Sequence, residues 1–551
     1  MIPWILLILL LIVYSLTLPM LLVRAGRSAT LGYVPLANFV PFLKMIKRPW
    51  WWTLLLLCPG VNLLVLIIMN VELGIAFGKR SITEQWLFGA LPWLALPKLA
   101  YKEKEVKFIG PRDWTGKKKS FMREWGEALV FAVIAASVIR TFFIEAFTIP
   151  TPSMEKTNLV GDYLFVSKVS YGAKIPQTPM SIPFVHNAIP GGLTNSYVGW
   201  FSLPYFRLPG LGSVERYDPV VFNFPHGDTV IVDMTLSTHD YYRFLRDEAM
   251  HIAKNNITEF EKDKSKYMQA ARKNLGQKNQ IHSLMKGGVY KTNGLKTRPM
   301  DKRDNYVKRC MGLPGDNLKI VGRQVFINDA PAVNPDNLMF SYKFTVSDRG
   351  ALKKIYDAYK VNMGDRHPLK DESLKYGKDT LGRPYYWSSF TWNDFQQLTQ
   401  DPTVLGMEPT LDEPEDAMAL FPNSNAYPYN TWTRDNYGPV HIPAKGETIN
   451  LTIENIEFYR RVINVYEGNE WREAGGKVYI NGVETSTYTF KQNYYWMMGD
   501  NRHQSADSRY WGFVPEDHIV GKPVFTWFSK EDKEYQPGGE YRWSRMFRFV
   551  K

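Results

Sequence analysis

Long apolar runs fill the first 150 residues of the chain and almost none follow. The pattern therefore separates a membrane-like front from a polar remainder built on short, strand-like runs. Ile2 to Val23 is uncharged and about long enough to cross a bilayer. Trp51 to Phe77 is a second run, entered through Trp50-Trp51-Trp52 and kinked at Pro59-Gly60. Trp86 to Ala100 is a third, interrupted by Pro92 and Pro97, and Trp125 to Ile144 is a fourth, with Arg140 near its end where it can snorkel. Nothing basic precedes the first run, and Arg24 and Arg27 follow it. A cleaved leader has the opposite polarity, so the pattern predicts a retained anchor with its N-terminus outside.

Charge turns these runs into a topology. The net charge is +13 over 551 residues, and much of the excess flanks the apolar runs. The connection 24–49 carries Arg24, Arg27, Lys44, Lys47 and Arg48; the connection 98–124 carries Lys98, Lys102, Lys104, Lys107, Arg112, Lys117, Lys118, Lys119 and Arg123. Both lie on the cytoplasmic side only if 86–100 is a true span. Four crossings follow, with everything after Ile149 outside the cytoplasm; a three-span alternative would leave that remainder inside. The basic flanks point to a membrane surface. Nucleic acid is not expected as a partner, because no binding motif for it accompanies the charge. Cys58 sits in an apolar run and Cys310 beside Arg309, which predicts neither a structural disulfide nor a metal cluster.

Past the fourth run, Pro150 and Pro152 hold the backbone around Ser153 extended. Such a serine is a candidate nucleophile, or simply a turn residue. Val220 to Phe224 and Asp228 to Val232 read as strands, and Leu236 to Met285, charged and poor in breakers, reads as helix with a solvated face. Tyr306 to Asp316 reads as a strand ending in a turn, with Lys308 and Arg309 on opposite faces. If either is a base it is Lys308, since arginine keeps its proton in a protein; the alternative is a solvated strand lysine. Residues 336–445 lack clear periodicity and read as an inserted, loop-rich surface subdomain. Gly475 to Gly482 resumes hairpin chemistry. Gly499 to Gly512, between apolar strand-like runs, is dense in Asp, Asn, Arg and Ser. It is either a polar turn or a network of ion pairs and hydrogen bonds that fixes local geometry. Among the nine histidines no triad or metal-ligand spacing stands out.

Four ordered pieces closely resemble bacterial signal peptidase I, the leader peptidase family: Pro-x-x-Ser-Met at 150–154, Arg216 to Phe224, Tyr306 to Asp316, and Gly499 to Val520. The resemblance implies a mainly β, partly barrel-like catalytic domain on an α-helical membrane anchor, in a bacterial inner membrane, with the catalytic domain on the extracytoplasmic side. It implies a membrane serine endopeptidase that removes signal peptides from exported preproteins. Its partners would be those signal peptides and the lipid bilayer, and it would need no metal or organic cofactor. By the same resemblance Ser153 is the nucleophile and Lys308 the general base of a Ser-Lys dyad. Thr151 and the Ser153 backbone N–H form the oxyanion hole, Ser505 orients the lysine, and Asp507 and Arg509 brace the site. Lys156 stands where the family usually has proline, and Thr151 where serine is common. Exposed apolar residues such as Ile149 and Met154 would dip into the bilayer interface.

The chain is accordingly divided into a multi-span membrane domain, 1–124; a span leading into the catalytic domain, 125–149; the first part of the catalytic β domain, 150–335, with inserts at 176–213 and 234–304; an inserted loop-rich subdomain, 336–470; and the closing part, 471–551. Because every candidate catalytic group lies outside 336–445, that insert is expected to be dispensable for the chemistry. Two other readings compete: a Ser-Lys peptidase with one dedicated substrate, and a catalytically inactive membrane scaffold.

Overall fold

A computed structural model of the chain describes residues 2–56, 58–112, 121–182, 184–187, 189, 195–199, 202–225, 229–231, 241–277, 280–283, 288–291, 294–361, 377, 381–414, 419–452, 455–474, 477–531 and 539–550. They form two units, one of residues 1–143 and 174–208, the other of residues 144–173 and 209–551.

The first unit is helical. Ile2–Arg24, Val61–Ala76 and Phe121–Phe142 are its long helices. A buried polar pair joins the first two, where Tyr14 Oη donates to Asn70 Oδ1 at 3.0 Å. The third apolar run is not one helix. It divides into Ile82–Ala90, Pro92–Pro97 and a wider turn, Lys98–Lys102. Pro92 has no N–H to continue the ladder, and Leu91 leaves the helical region at φ −129°, ψ 53°. Ser81 and Glu84 close a capping box at the start of this stretch. Among the described residues, Glu124–Phe142 is the one helix both long and apolar enough to cross a membrane; Leu10–Arg24 and Val61–Ala76 are apolar but shorter.

The second unit is mainly β. Its principal sheet places Ile144–Thr148, Asp162–Ser167, Ile519–Ser529, Pro219–Asn223, Asn305–Gly312, Tyr494–Met498 and Val514–Pro515 side by side, with Arg548–Phe549 added to Ile519–Ser529. Neighbours run antiparallel, and the register shifts between Tyr163 and Leu164, between Phe165 and Val166, and between Ile519 and Gly521. Such bulges increase local twist, and the sheet curls into a half-barrel. The strand Ile519–Ser529 runs unbroken through Gly521-Lys522-Pro523. A Cβ on Gly521 would stand 2.4 Å from the Ser167 carbonyl oxygen, so only glycine lets the two strands meet there. Against this sheet packs an aromatic core that includes Trp496, Phe421, Phe458 and Phe513.

Two stretches read from sequence as inserts are more structured than their composition predicts. The stretch 236–285, read as helix, holds three helices, Tyr241–Ile252, Ile257–Lys262 and Lys264–Gly276, followed by a strand, Gln280–Ser283. Lys254 and Asn255 adopt left-handed φ of 56° each, and Asn256 caps the next helix, so local turn chemistry breaks what periodicity left continuous. Positions 236–240, 278–279 and 284–285 of that reading lie outside the described residues, as do Asp228 and Val232 of the strand read at 228–232. Within 336–470 a three-stranded sheet forms from Met339–Val346, Tyr385–Thr391 and Val404–Pro409. Helices Arg349–Ala358 and Trp392–Leu398 accompany it, around a core that includes Tyr342, Phe344, Leu352 and Phe390.

Candidate active site

Ser153 lies in a single tight turn, Pro152–Met154, directly after the extended Thr151 (φ −136°, ψ 151°). The two prolines keep this segment out of helix up to the serine. Backbone bonds from Glu155 to Pro152 O (3.0 Å) and from Asn158 to Met154 O (2.7 Å) then close the turn. Asn501 clamps it from the other side. Its N–H donates to Ser153 O at 3.1 Å and its side-chain amide to Pro152 O at 3.3 Å. Ile149 and Met154, expected at a bilayer interface, are buried instead. The turn that presents Ser153 folds Met154 inward, and Ile149 exchanges backbone bonds with Gly161 and Asp162.

Lys308 comes from the strand Asn305–Gly312 and is only 2% exposed. Its Nζ lies 2.6 Å from Ser153 Oγ and 3.0 Å from Val307 O. Burial pushes the ammonium down from 10.5 to about 8, against the attraction of Asp507 and Asp500. The Tyr306 ring, 5.5 Å away, is a further weak attraction for the charged form. The neighbouring Arg309 reaches quite different partners. Its Nε and Nη2 each bind the Asp500 carboxylate at 2.7 Å, and both groups are buried. This bidentate pair holds the loop that begins at Gly499 against the lysine strand.

The Gly499–Gly512 stretch is a network, not a solvated turn. Asp507 and Arg509 form a buried ion pair with Nε–Oδ1 of 2.9 Å and Nη2–Oδ2 of 2.8 Å. Asp507 also accepts from the Gly499 and Arg509 N–H groups, and the Arg509 charge keeps its carboxyl below the ordinary value despite burial. Arg509 Nη2 reaches Arg502 O at 2.6 Å. Gly499 is required by a close approach: a Cβ there would meet Ser505 Oγ at 2.2 Å and Ser153 O at 2.6 Å. Ser505 is thereby brought to the serine turn, buried, where its hydroxyl helps hold the Asp507 carboxyl below the ordinary value. The expected bond from Ser505 to Lys308 is not formed here; the lysine donates to Ser153 and Val307.

A cavity of about 840 Å³ opens on this cluster, lined by Thr151, Ser153, Lys308 and Ser505 among others. His503 also faces it but has no nitrogen to spare. Its Nδ1 accepts from the Ser341 N–H at 3.0 Å, and its Nε2 lies 2.8 Å from Asp435 Oδ1. Burial holds the imidazole below its ordinary value, so it is a neutral ring with both positions engaged. Asp412 and Asp435 gather beside it in a metal-like grouping, yet Arg434 binds Asp412 and His503 binds Asp435. The counter-charges are Arg434 for Asp412 and, at 3.8 Å, Arg323 for Asp435.

The stretch 336–470, read from sequence as an insert, touches this machinery directly. Met339 N–H donates to Asp500 O and Met339 O accepts from Arg502 N–H, both at 2.9 Å. Lys156, just past the serine turn, has φ of 68°, which proline cannot adopt. Its Nζ donates to Tyr359 O at 2.7 Å and lies 3.8 Å from Asp394. Lys156 thus ties the serine turn to the stretch 336–470. Asp500, Asn501, Gly499 and Arg309 were not singled out by sequence as parts of the site. Their signal was present in the density of turn and charged residues, but their partners lie 150 to 350 positions away.

Residues 122–357 and 444–528 match the family model described as signal peptidase, peptidase S26. Residues 31–111 match a family of unknown function, DUF5684. Signal peptidase I of Buchnera aphidicola subsp. Baizongia pistaciae is 50% identical over 408 residues, covering 73% of this chain and 76% of that protein. The Haemophilus influenzae signal peptidase I is 43% identical over 72 residues, 13% of this chain and 20% of that protein. That of Helicobacter pylori is 31% identical over 137 residues, 22% of this chain and 47% of that protein. The chain thus matches a fifth of the length of the Haemophilus relative and about half of the Helicobacter one. The family match takes in Ser153, Lys308 and the whole loop from Gly499 to Gly512, and on that ground this chain belongs to the signal peptidase family, peptidase S26.

Proposed function

We propose that this chain is a signal peptidase I-type serine endopeptidase that removes signal peptides from exported preproteins with Ser153 as nucleophile and Lys308 as general base. The observation that carries the reading is the 2.6 Å contact between a buried lysine amine and a buried serine hydroxyl at the floor of an open cavity. With its pKa lowered to about 8, about one lysine in ten is neutral at pH 7, against about one in 3,000 at the ordinary value. The neutral amine takes the Ser153 proton as Oγ attacks the scissile carbonyl. The ammonium then returns that proton to the leaving amine, and water, activated by the same lysine, releases the acyl group. The Thr151 hydroxyl and the Ser153 N–H are the donors for the tetrahedral oxyanion, each worth about 3–4 kcal/mol when well aimed. Asp507, Arg509, Asp500 and Asn501 touch no substrate in this scheme; they hold the two reacting groups in register. A small reorientation of Ser505 would let its Oγ bond the lysine after proton transfer.

The bilayer is the second partner in this reading, with the enzyme in a bacterial inner membrane and its catalytic domain outside. Two observations support it. Glu124–Phe142 is long and apolar enough to span. In addition Phe547 and Phe549, both exposed, pack on Phe525 of the strand Ile519–Ser529, with exposed Trp543 nearby in sequence. A reporter fused after Arg112 should face the cytoplasm; an external reporter there would end the four-span topology.

The test of the chemistry is the initial cleavage rate of one preprotein in detergent. Ser153→Ala and Lys308→Arg should each abolish cleavage while the fold persists. Arginine keeps the charge but cannot accept the proton, so a folded Lys308→Arg enzyme cutting at near wild-type rate would refute the lysine base.

A further inference from the structure

We infer that Asn501 is a positioning residue for the oxyanion hole, its side-chain amide aiming the Ser153 backbone N–H at the scissile carbonyl. The inference rests on the peptidase reading above and adds to it the group that orients one of the two oxyanion donors. The N–H of Ser153 and the carbonyl of Pro152 belong to one peptide unit. That unit is trans, and in a planar trans unit the two groups point in opposite directions. Whatever holds the Pro152 oxygen therefore fixes the line along which the Ser153 N–H points. Asn501 Nδ2 donates to that oxygen at 3.3 Å. Within the turn, the Glu155 N–H donates to it at 3.0 Å. With both lone pairs engaged, the carbonyl holds its plane in two directions and polarises the N–H toward a stronger donor. Thr151 and Ser153 line the cavity, whereas Asn501, only 1% exposed, is not among its described lining residues. The amide thus holds the carbonyl from the buried side, and the opposed N–H is directed to the cavity side.

Three features separate this role from simple packing. The backbone of Asn501 is fixed without its side chain. Its N–H donates to Ser153 O and its O accepts from the Gln504 N–H, each at 3.1 Å, while Met339 bonds the residues before and after it. The amide is also oriented by what it faces. Turned over, it would set Oδ1 against the Pro152 oxygen, acceptor on acceptor, so the nitrogen must face the carbonyl. Its second contact, Gln504 Oε1 at 3.5 Å, is likewise an acceptor. Lastly, the other half of the amide weakens the fold: Oδ1 is buried with no hydrogen-bond partner among the described residues. A leucine would fill a similar volume without that loss. An amide kept there serves orientation of a reacting group, which shape alone would not require.

The experiment compares Asn501→Leu with wild type, as full-length protein in detergent. kcat should fall about tenfold with KM within about twofold; the Glu155 bond remains, so the loss is smaller than for a donor removed outright. A peptide aldehyde carrying the cleavage-site sequence reads the hole directly. Ser153 Oγ adds to its carbonyl carbon, the C=O π bond opens, and the oxygen takes the place of the oxyanion. Its inhibition constant should rise by the same factor, about tenfold, while that of the matching peptide alcohol, which forms no adduct, stays within about twofold. The midpoint of the pH–rate profile should not move, since Lys308 is untouched. Should Asn501→Leu fail to fold, Asn501→Ala is measured in the same way and should show the same split between aldehyde and alcohol. Unchanged kcat overturns the inference, as does a fall in kcat without a matching loss of aldehyde affinity, or one explained by a shifted pH midpoint. Loss of the fold in both variants assigns Asn501 a structural role and overturns it too. Cleavage of the preprotein by folded Ser153→Ala overturns the peptidase reading and takes this inference with it.

Discussion

Replacing Lys308 by methionine should destroy cleavage and, at neutral pH, stabilise the protein. Lysine normally holds its proton up to 10.5; at this buried position it holds it only to about 8. The difference means that keeping the ammonium in the folded protein costs about 3 kcal/mol relative to the unfolded chain at pH below 8. Methionine fills a similar volume without the charge. Against that gain stands the lost contact with Ser153 Oγ, worth about 1 kcal/mol. The net expectation is about 2 kcal/mol of added stability at pH 7. A pH dependence follows. Between pH 8 and 10.5 the unfolded lysine binds a proton that the folded one has released, so wild-type stability should rise with pH across that window. The Lys308→Met protein lacks this contribution, so its advantage should shrink as pH rises and give way by pH 10.5 to a deficit of about 1 kcal/mol, the lost Ser153 contact. Full-length protein in detergent, unfolded with urea and followed by tryptophan fluorescence at pH 7, 8, 9 and 10, measures both. A variant less stable than wild type at pH 7, or equal pH slopes for the two proteins, would mean that the lysine is not held in a low-dielectric site. The same value predicts the activity profile: the neutral fraction, and with it the rate, should rise about tenfold from pH 7 to pH 9 and then level off.

Three further substitutions test the scaffold. Gly499→Ala places a methyl group against Ser505 Oγ and the Ser153 carbonyl; it should cost about 1–3 kcal/mol and lower kcat at least tenfold with little change in KM. Asp500→Ala strands the buried Arg309 guanidinium and should cost about 3–5 kcal/mol, most of which Asp500→Leu with Arg309→Met recovers, as read from urea midpoints. Lys156→Pro requires a φ of about −65° where the chain holds 68°, so it should lower kcat well below that of Lys156→Ala, in steady-state cleavage of a signal-peptide substrate.

The contacts of the 336–470 insert change what its excision should do. On sequence its part 336–445 was expected to be dispensable for the chemistry, because no proposed catalytic group lies within it. Yet Met339 bonds both Asp500 and Arg502 through the backbone, and Lys156 ties the serine turn to Tyr359. Removing the insert takes away supports of both loops that meet at the dyad.

The local pattern of the chain by itself determined a good deal. Pro150 and Pro152 dictate an extended entry to Ser153, since their rings forbid helix. Period-two alternation puts Lys308 and Arg309 on opposite sides of one strand, and they do reach different partners, Ser153 and Asp500. The density of Asp, Arg and Ser between 499 and 512 marked a network, and the buried Asp507–Arg509 pair is part of it. Only the tertiary structure decided the rest, because each such feature depends on groups distant in the chain. The depressed lysine needs walls that exclude water, and those come from strands hundreds of residues apart. The clamp of Asn501 on Ser153 spans nearly 350 positions. A charged, breaker-poor stretch such as 236–285 says nothing local about where Arg243 and Arg246 point; packing of Tyr241, Phe244 and Leu245 into a core turns these two toward the cavity. Burial likewise reversed the expectation for Ile149 and Met154, since hydrophobicity alone does not distinguish a side chain that meets lipid from one that fills the underside of a turn.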